Sequence, residues 1–320
     1  MNEALETARY VAERSLWVQI DTRALSRFSR QTFAFDIKVP PWDSFHHFCD
    51  HSEDTVAYLL VLDSLNFCFW PPSGKPRWEI RYKTKRLSGY YALAACLKHA
   101  IESGIPITNS QYLAELSLGE LIQILGGQGI LQLLKQRLKT IHELGNALLN
   151  GFGGQAHRLV EAAQGSSIRL AKMLAEKIPS FRDVAEYRGH KVFFYKRAQL
   201  FAADLYGAFE GKRWGRFVDV DQLTAFADYK LPQVLHHLGI LNYAKTLARK
   251  VDHQVNIQAG SPEEIEIRAN TIWSVELIRQ KLERMGKRLR SFEIDSILWN
   301  LGQRQAFKAK PFHRTVTIYY

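Results

Sequence analysis

The stretch "ILQLLKQRLKTIHELGNALL", residues 130–149, repeats its apolar residues with the period of an α-helix. A helix here would place Leu134, Leu138, Ile141 and Leu148 on one stripe. Such a stripe is typical of a helix that packs against a core. The same periodicity recurs over most of the chain after residue 85, so we predict a mainly α protein.

Capping signals mark where two other helices begin. Ser117 and Glu120 have the spacing of a capping box in "SLGELIQIL", and Ser261 followed by Pro262 opens "SPEEIEIRANTIWSVELIRQKLERMG". Apolar patterns predict further helices in "SGYYALAACLKHAIESG", "GQAHRLVEAA", "SSIRLAKMLAEKI", "SFRDVAEY", "YKRAQLFAADLYGAF", "DQLTAFADY" and "SFEIDSILWNLG".

The first 85 residues have a different pattern. Strand candidates occur at "SLWVQID", "VAYLLVL" and "WEIRY", separated by proline and glycine, and "RTVTIYY" is a strand candidate at the C-terminus. We therefore predict a small mixed α/β portion (1–85) followed by a helical portion (86–320). Because no Pro/Gly/Ser linker separates them, residues 1–320 are predicted to form a single domain.

Composition and charge bear on whether the protein binds nucleic acid, is secreted or associates with a membrane. The chain has 320 residues, of which 46% are hydrophobic, and a formal net charge of +11. A basic balance suits a phosphate-bearing partner, but the cations are spread over many short runs, which favours solvated helix faces over a nucleic-acid groove. The sequence contains neither a signal-peptide pattern nor an apolar run long enough to span a membrane, so we expect a cytoplasmic protein without membrane association.

Metal and nucleotide signatures are missing from the sequence. It has no P-loop, no Gly-x-Gly-x-x-Gly after a strand and no His-Glu-x-x-His. The three cysteines are isolated, and the adjacent pairs His46–His47 and His236–His237 would point about 100° apart on a helix. We expect no metal site.

One candidate binding segment is "LDSLNFCFWPP", residues 62–72. Asp63 and Asn66 offer polar groups, while Phe67 and Trp70 offer flat apolar faces, which is what a planar heterocycle with polar edges requires. The alternative is a strand end in which Asp63 caps a turn and the aromatic rings belong to the core. The residues alone leave both interpretations open.

Asp228 is the candidate catalytic acid, in "LTAFADYKLPQVLHHLGIL". It falls between two apolar helical patterns, just before Pro232 interrupts them. A carboxylate there could face a pocket, where burial would raise its pKa and a helix N-terminus would favour its anion. The alternative is a solvated aspartate at a helix terminus.

Two further helices carry candidate polar residues. Asp295 and Trp299 are four residues apart and would share a helix face, although a capping or surface aspartate is an equally simple interpretation. Lys196 and Arg197 precede Asp204 by two helical turns. Two adjacent cations could hold a phosphate, but exposed cations are the ordinary case.

The motifs "DSLNFCFW", "YKRAQLFAADLY", "FADYKLPQVLHHLGIL" and "DSILWNLG" together resemble the queuosine salvage protein family, over nearly the whole chain. The resemblance implies a helical fold similar to helix-hairpin-helix DNA glycosylases. It also implies hydrolysis of queuosine 5'-monophosphate to queuine and ribose 5-phosphate, without a cofactor. The resemblance implies a catalytic carboxylate at Asp228. The substrate-binding residues expected with it are Asp63, Asn66, Phe67, Trp70, Lys196, Arg197, Asp204, Tyr229, Gln233, Asp295 and Trp299.

Two other functions stay open at this point. One is a helix-hairpin-helix-like nucleic-acid glycosylase or a tRNA- or DNA-binding protein, and the other is a carrier that binds the nucleotide without turnover. "LPQVLHHLG" lacks the glycine pair that such hairpins use to grip DNA phosphate, which favours a small-molecule substrate and no stable nucleic-acid complex. We expect the candidate segments to line one cavity.

Overall fold

The fold, seen in a computed structural model that describes residues 2–320, is mainly α as predicted. Within this range fourteen α-helices are present: α1 Glu3–Ala12, α2 Thr22–Ala34, α3 Glu53–Ser64, α4 Tyr90–Glu102, α5 Ser110–Glu115, α6 Leu118–Leu125, α7 Leu134–Phe152, α8 Ala156–Ala162, α9 Ser167–Lys177, α10 Lys196–Ala208, α11 Lys230–His237, α12 Lys245–Asp252, α13 Pro262–Arg284 and α14 Ser291–Leu301. The described strands form two-stranded antiparallel pairs: β1 Val18–Ile20 with β6 Leu241–Tyr243, β2 Glu79–Tyr82 with β3 Lys85–Ser88, and β4 Val184–Tyr187 with β5 His190–Phe193.

The chain folds into two compact units, each made of three segments. The first unit comprises Met1–Pro41, Asp183–Gln199 and Asp221–Val316. The second comprises Trp42–Arg182, Leu200–Val220 and Thr317–Tyr320. The single domain over residues 1–320 stays a prediction.

Helix α13 is the centre of the first unit. It buries residues on every face along most of its length, whereas a surface helix buries only one stripe. Helices α1, α2, α11 and α14 pack against it, and β1 adds Val18 to the same core. The capping signals are confirmed here, because the Ser261 side chain accepts the Glu264 N–H and Pro262 occupies the first turn.

Helix α3 has the corresponding place in the second unit. Nine of its twelve residues are buried, and it packs against α4, α7 and α8. Helices α5 and α7 approach closely at Gly145, where a Cβ atom would lie 2.5 Å from the backbone nitrogen of Ala114. Glycine is therefore required at this crossing. The capping box of Ser117 and Glu120 is present at the start of α6.

The strand predicted at residues 56–62 is wrong, because these residues lie inside α3. A short apolar run has the same appearance in a buried strand and in a helix buried on all sides. The residue before the run, Ser52, favours the helix, because its side chain accepts the Asp54 N–H and caps the first turn of α3.

Three other predicted elements are also wrong. Residues 180–187 were expected to be helical but contain β4, and residues 221–229 form a short 3-10 turn followed by irregular chain. Residues 314–320 make only an isolated bridge between Arg314 and Asn256 instead of a strand. In each case tertiary contacts override a weak local pattern. The strands predicted at "SLWVQID" and "WEIRY" are confirmed as β1 and β2.

Candidate functional site

Asp228 lies where irregular chain enters α11 in the first unit. Its Oδ1 atom accepts the backbone N–H of Lys230 at 2.7 Å and of Leu231 at 2.9 Å. The side chain is partly exposed. The carboxylate therefore occupies the positive end of a helix, where backbone N–H groups have no partners inside the helix.

Burial and charge act on Asp228 in opposite directions. Desolvation raises the pKa of Asp228 above its usual range, although the charge of Lys196, the two N–H donors and the charge of Lys230 all lower it. Because desolvation is the largest influence, the carboxylate is held in a site that does not fully stabilise its anion. Asp228 thus lies at a helix terminus, as the alternative interpretation expected, and its catalytic role stays a prediction.

Asp295 supports the chain that leads to Asp228. It lies buried on α14, and its Oδ2 atom accepts the backbone N–H of Phe226 at 2.7 Å. Trp299, four residues later on α14, is partly buried and packs against the core of the first unit. The structure therefore gives Asp295 a supporting contact, while its predicted contact with substrate stays a prediction, as does that of Trp299.

The residues after Asp228 are ordered by contacts within the first unit. The rings of Tyr229 and Phe312 lie 4.8 Å apart between centroids. Lys230 donates to the Gln233 side chain at 2.9 Å, and buried Gln233 donates in turn to the Lys310 carbonyl at 2.5 Å. These contacts fix the first turn of α11, to which Asp228 is bound.

Lys196 and Arg197 are both buried, with 5% and 1% of their surface exposed. The ordinary interpretation of this pair as exposed cations is therefore excluded. The backbone N–H of Lys196 donates to Asp183 at 3.1 Å at the start of α10. Buried cations are found almost only where they are paired or bind a charged group.

In the second unit, "LDSLNFCFWPP" is the end of α3 and the loop that follows, rather than a strand. Asp63, Asn66, Phe67 and Trp70 are all buried, with Asp63 and Phe67 fully so. This part of the chain thus combines two buried polar side chains with two buried rings. Burial of that kind is compatible with a ligand wall and with a packed core, so the binding role stays a prediction.

Arg137 on α7 holds this loop, a contact that the sequence pattern did not predict. The fully buried guanidinium donates to the carbonyls of Leu65, Phe67 and Cys68 and lies over the Phe67 ring at 4.2 Å. The backbone of Cys68 is left-handed, with φ of 46°. Leu134 and Leu138, which were expected to face the core, are only partly buried, because the buried face of α7 is centred on Arg137 and Ile141.

Asp204 is buried on α10, in the part of that helix that belongs to the second unit. Its charge and that of Asp63 both raise the pKa of Tyr58 and of Tyr90, in addition to the larger influence of burial. The charges of Asp63 and Asp204 therefore influence the same two hydroxyl groups, those of Tyr58 and Tyr90. Carboxylates gathered in buried surroundings favour a ligand that carries hydrogen-bond donors or positive charge.

His47 fixes the hydroxyl of Tyr90, another arrangement that the sequence pattern did not predict. His47 Nδ1 lies 2.7 Å from the Asp43 carbonyl, which can only accept, and Nε2 lies 2.8 Å from the Tyr90 hydroxyl. Burial lowers the pKa of His47 and so favours the neutral ring, and the Asp43 carbonyl requires the proton on Nδ1. Tyr90 then donates its hydroxyl proton to Nε2. The tyrosine pair in "SGYYAL" was the available sequence signal.

Among residues 2–320, no group of three or more His, Cys, Asp or Glu side chains is placed to hold a metal ion. The described helices also include none that is both long and apolar enough to cross a membrane. The expected convergence of the candidate segments on one cavity stays a prediction, as do the individual substrate-binding roles.

The chain is similar to known proteins over almost its whole length. The family model described as queuosine salvage protein matches residues 46–320. The queuosine 5'-phosphate N-glycosylase/hydrolase of Sphaerobacter thermophilus is 46% identical over 316 residues, which cover 99% of this chain and 97% of that protein. Proteins of the same name from Mus musculus and Dictyostelium discoideum are 36% and 35% identical, and each alignment covers 98% of both chains.

Proposed function

The chain belongs to the queuosine salvage protein family, and we propose that it hydrolyses the N-glycosidic bond of queuosine 5'-monophosphate to give queuine and ribose 5-phosphate. The observation that carries this proposal is the 46% identity over 99% of the chain to a relative named for that activity. The partly buried Asp228, with its raised pKa, adds a carboxylate suited to the chemistry.

The reaction requires stabilisation of the departing base, queuine. Queuine is a 7-deazaguanine, so it lacks the ring nitrogen that is commonly protonated when guanine or adenine departs. Hydrogen bonds around the base must stabilise it instead. We assign this task to the side-chain amide of Asn66, which can donate. The carboxylates of Asp63 and Asp204 instead accept hydrogen bonds from the amine of the base and from the side-chain ammonium of queuine, and Phe67 and Trp70 stack on the ring. Stacking of a base on aromatic rings contributes about 1–3 kcal/mol per base in other proteins.

Asp228 acts on the sugar. As the glycosidic bond lengthens, positive charge develops on the ribose in an oxocarbenium-like transition state. The ionised carboxylate of Asp228 stabilises that charge and orients the attacking water, from which it accepts a proton. The departing nitrogen of queuine keeps the electron pair of the broken C–N bond and takes up a proton from solvent. The raised pKa of Asp228 makes it a better base than a solvated aspartate.

The 5'-phosphate is the group assigned to Lys196 and Arg197. Both side chains are buried, so a phosphate bound to them would form charge-assisted hydrogen bonds little screened by water. Such remote binding energy can hold the ribose in a reactive pose. Tyr229, Gln233, Asp295 and Trp299 complete the set of residues assigned to substrate binding.

The direct test is to incubate the purified protein with queuosine 5'-monophosphate and to detect queuine and ribose 5-phosphate by mass spectrometry. Stoichiometric release of both products is expected. Binding of the nucleotide without release would instead indicate a carrier. Release of a base from tRNA or DNA, with no turnover of the mononucleotide, would favour the nucleic-acid glycosylase.

The phosphate assignment is tested by comparing queuosine with its 5'-monophosphate on the same enzyme. A substantially lower kcat/KM is expected for the nucleoside, because it lacks the group that Lys196 and Arg197 hold. Arg197→Met should reduce kcat/KM for the monophosphate while leaving that for the nucleoside nearly unchanged. Equal efficiencies for both substrates would remove the phosphate site from the proposal.

A further inference from the structure

A buried ion pair in the first unit connects the two stretches that carry Lys196 and Asp228. Arg268 on α13 donates to both carboxylate oxygens of Asp183, from Nη1 at 2.8 Å and from Nη2 at 2.6 Å. Only 2% of Arg268 and 3% of Asp183 is exposed. The guanidinium also lies over the Phe194 ring, 3.9 Å from its centroid.

Each member of the pair contacts the backbone beside a residue of the proposed site. Arg268 Nε donates to the carbonyl of Ala227 at 3.1 Å, directly before Asp228. Asp183 Oδ2 accepts the backbone N–H of Lys196 at 3.1 Å. The ion pair of Arg268 and Asp183 thus joins the chain before the Asp228 carboxylate to the start of the helix that bears Lys196.

Stability alone is a weak explanation of this arrangement. A buried ion pair can usually be replaced by apolar residues of similar volume without loss of stability. The bidentate geometry does, however, fix direction and distance, which an apolar contact cannot do.

We propose that Arg268 and Asp183 are positioning residues for the glycosidic hydrolysis, which set the separation and orientation of Asp228 and Lys196. The proposal rests on the proposed function. Neither residue is assigned a contact with substrate, and both act through the backbone of Ala227 and of Lys196.

The test uses Arg268→Lys, which keeps the charge but loses the planar fork and the Nε–H donor. Because small displacements of catalytic groups have large effects, kcat for queuosine 5'-monophosphate should fall by about 10–100-fold. The acid limb of the kcat–pH profile should also move to higher pH, because the charge of Lys196 lowers the pKa of Asp228 and a displaced Lys196 would do so less.

The matched control is Arg279→Lys on the same helix. Arg279 also makes a bidentate pair, with Glu276 at 2.8 and 2.9 Å, and a further bond to Glu283. This control should retain the parental kcat and acid limb. A lowered thermal unfolding midpoint of Arg268→Lys, with parental kcat and acid limb, would overturn the proposal.

Asp183→Asn provides a second variant, since its side-chain oxygen can still accept the Lys196 N–H. We expect Asp183→Asn to lower kcat and to move the acid limb to higher pH, both to a smaller extent than Arg268→Lys does. If Arg268→Lys does not fold, Asp183→Asn decides the question, and parental kinetics there overturn the proposal. If neither variant folds, the pair is structural and the proposal also falls. Failure of the proposed function is distinct, because the unsubstituted enzyme would then release no queuine.

Discussion

Asp228 combines a helix N-terminus, which favours its anion, with burial, which favours its neutral form. The pKa of Asp228 is raised, so burial is the stronger influence. We expect Asp228→Asn to lower kcat by about 10²–10⁴-fold, because an amide can neither accept the proton of water nor balance the charge on the ribose. In the unsubstituted enzyme, kcat should fall as the pH drops through this raised pKa. Initial rates from pH 4 upward measure both effects.

The same substitution has the opposite effect on stability. Because the pKa of Asp228 is higher in the folded protein than in the unfolded chain, its ionisation destabilises the fold at neutral pH. Asp228→Asn should therefore unfold at an equal or higher temperature than the parent at pH 7.5, and the difference should shrink towards pH 4. Exposed Asp252→Asn is the control. A midpoint several degrees below that of the parent would contradict this account.

His313 gives a second pH effect at the level of one residue. Burial, with a smaller influence of Arg268, lowers the pKa of His313 from 6.5 to about 3. Since the unfolded chain binds the proton more readily, the contribution of His313 to the free energy of unfolding is present above pH 6.5 and is lost as the pH falls towards 3. His313→Gln should flatten the decline between pH 7 and pH 5 in urea unfolding, whereas exposed His253→Gln should not. Parallel declines would refute the prediction.

At the scale of elements, Arg137 holds the loop that carries the candidate base-binding residues. Arg137→Met removes the donors to three buried carbonyls, and each unsatisfied buried group destabilises a fold by about 1–3 kcal/mol. We therefore expect the variant to lose at least about 3 kcal/mol of unfolding free energy, by urea titration. Exposed Lys135→Met, on the same helix, should lose almost none. A loss below about 1 kcal/mol in the Arg137 variant would show that water replaces the guanidinium.

Elements defined by neighbouring residues could be predicted from the sequence, while those defined by distant contacts could not. The capping box of Ser117 and Glu120 needs only a spacing of three residues, so it was found. The pattern of α3 predicts a strand, because its apolar residues surround the helix on all faces. The contacts of Arg137 with its loop join residues about 70 positions apart, and Asp183 is 85 positions from Arg268.

The same distinction between local patterns and distant contacts holds for the residues of the candidate site. Asp228, Asp63 and Asn66 could be proposed as site residues because they interrupt apolar patterns and because the motifs around them resemble a known family. The residues that hold them, Arg137 and Arg268, were missed because a cation in a helical pattern ordinarily marks a solvated face. Only the fold shows that both are buried.

At the scale of the whole molecule, the net charge of +11 leaves the nucleic-acid alternative to be tested. If the charge serves mainly solubility and a mononucleotide site, excess tRNA should not inhibit hydrolysis of queuosine 5'-monophosphate, even at low ionic strength. Inorganic phosphate should inhibit, because it competes for Lys196 and Arg197. Initial rates with each competitor at two salt concentrations make the comparison. Inhibition by tRNA that weakens steeply with salt would indicate a phosphate-backbone surface, since that dependence is the signature of counterion release. Such a result would make a nucleic acid, rather than the free nucleotide, the partner that this charge recognises.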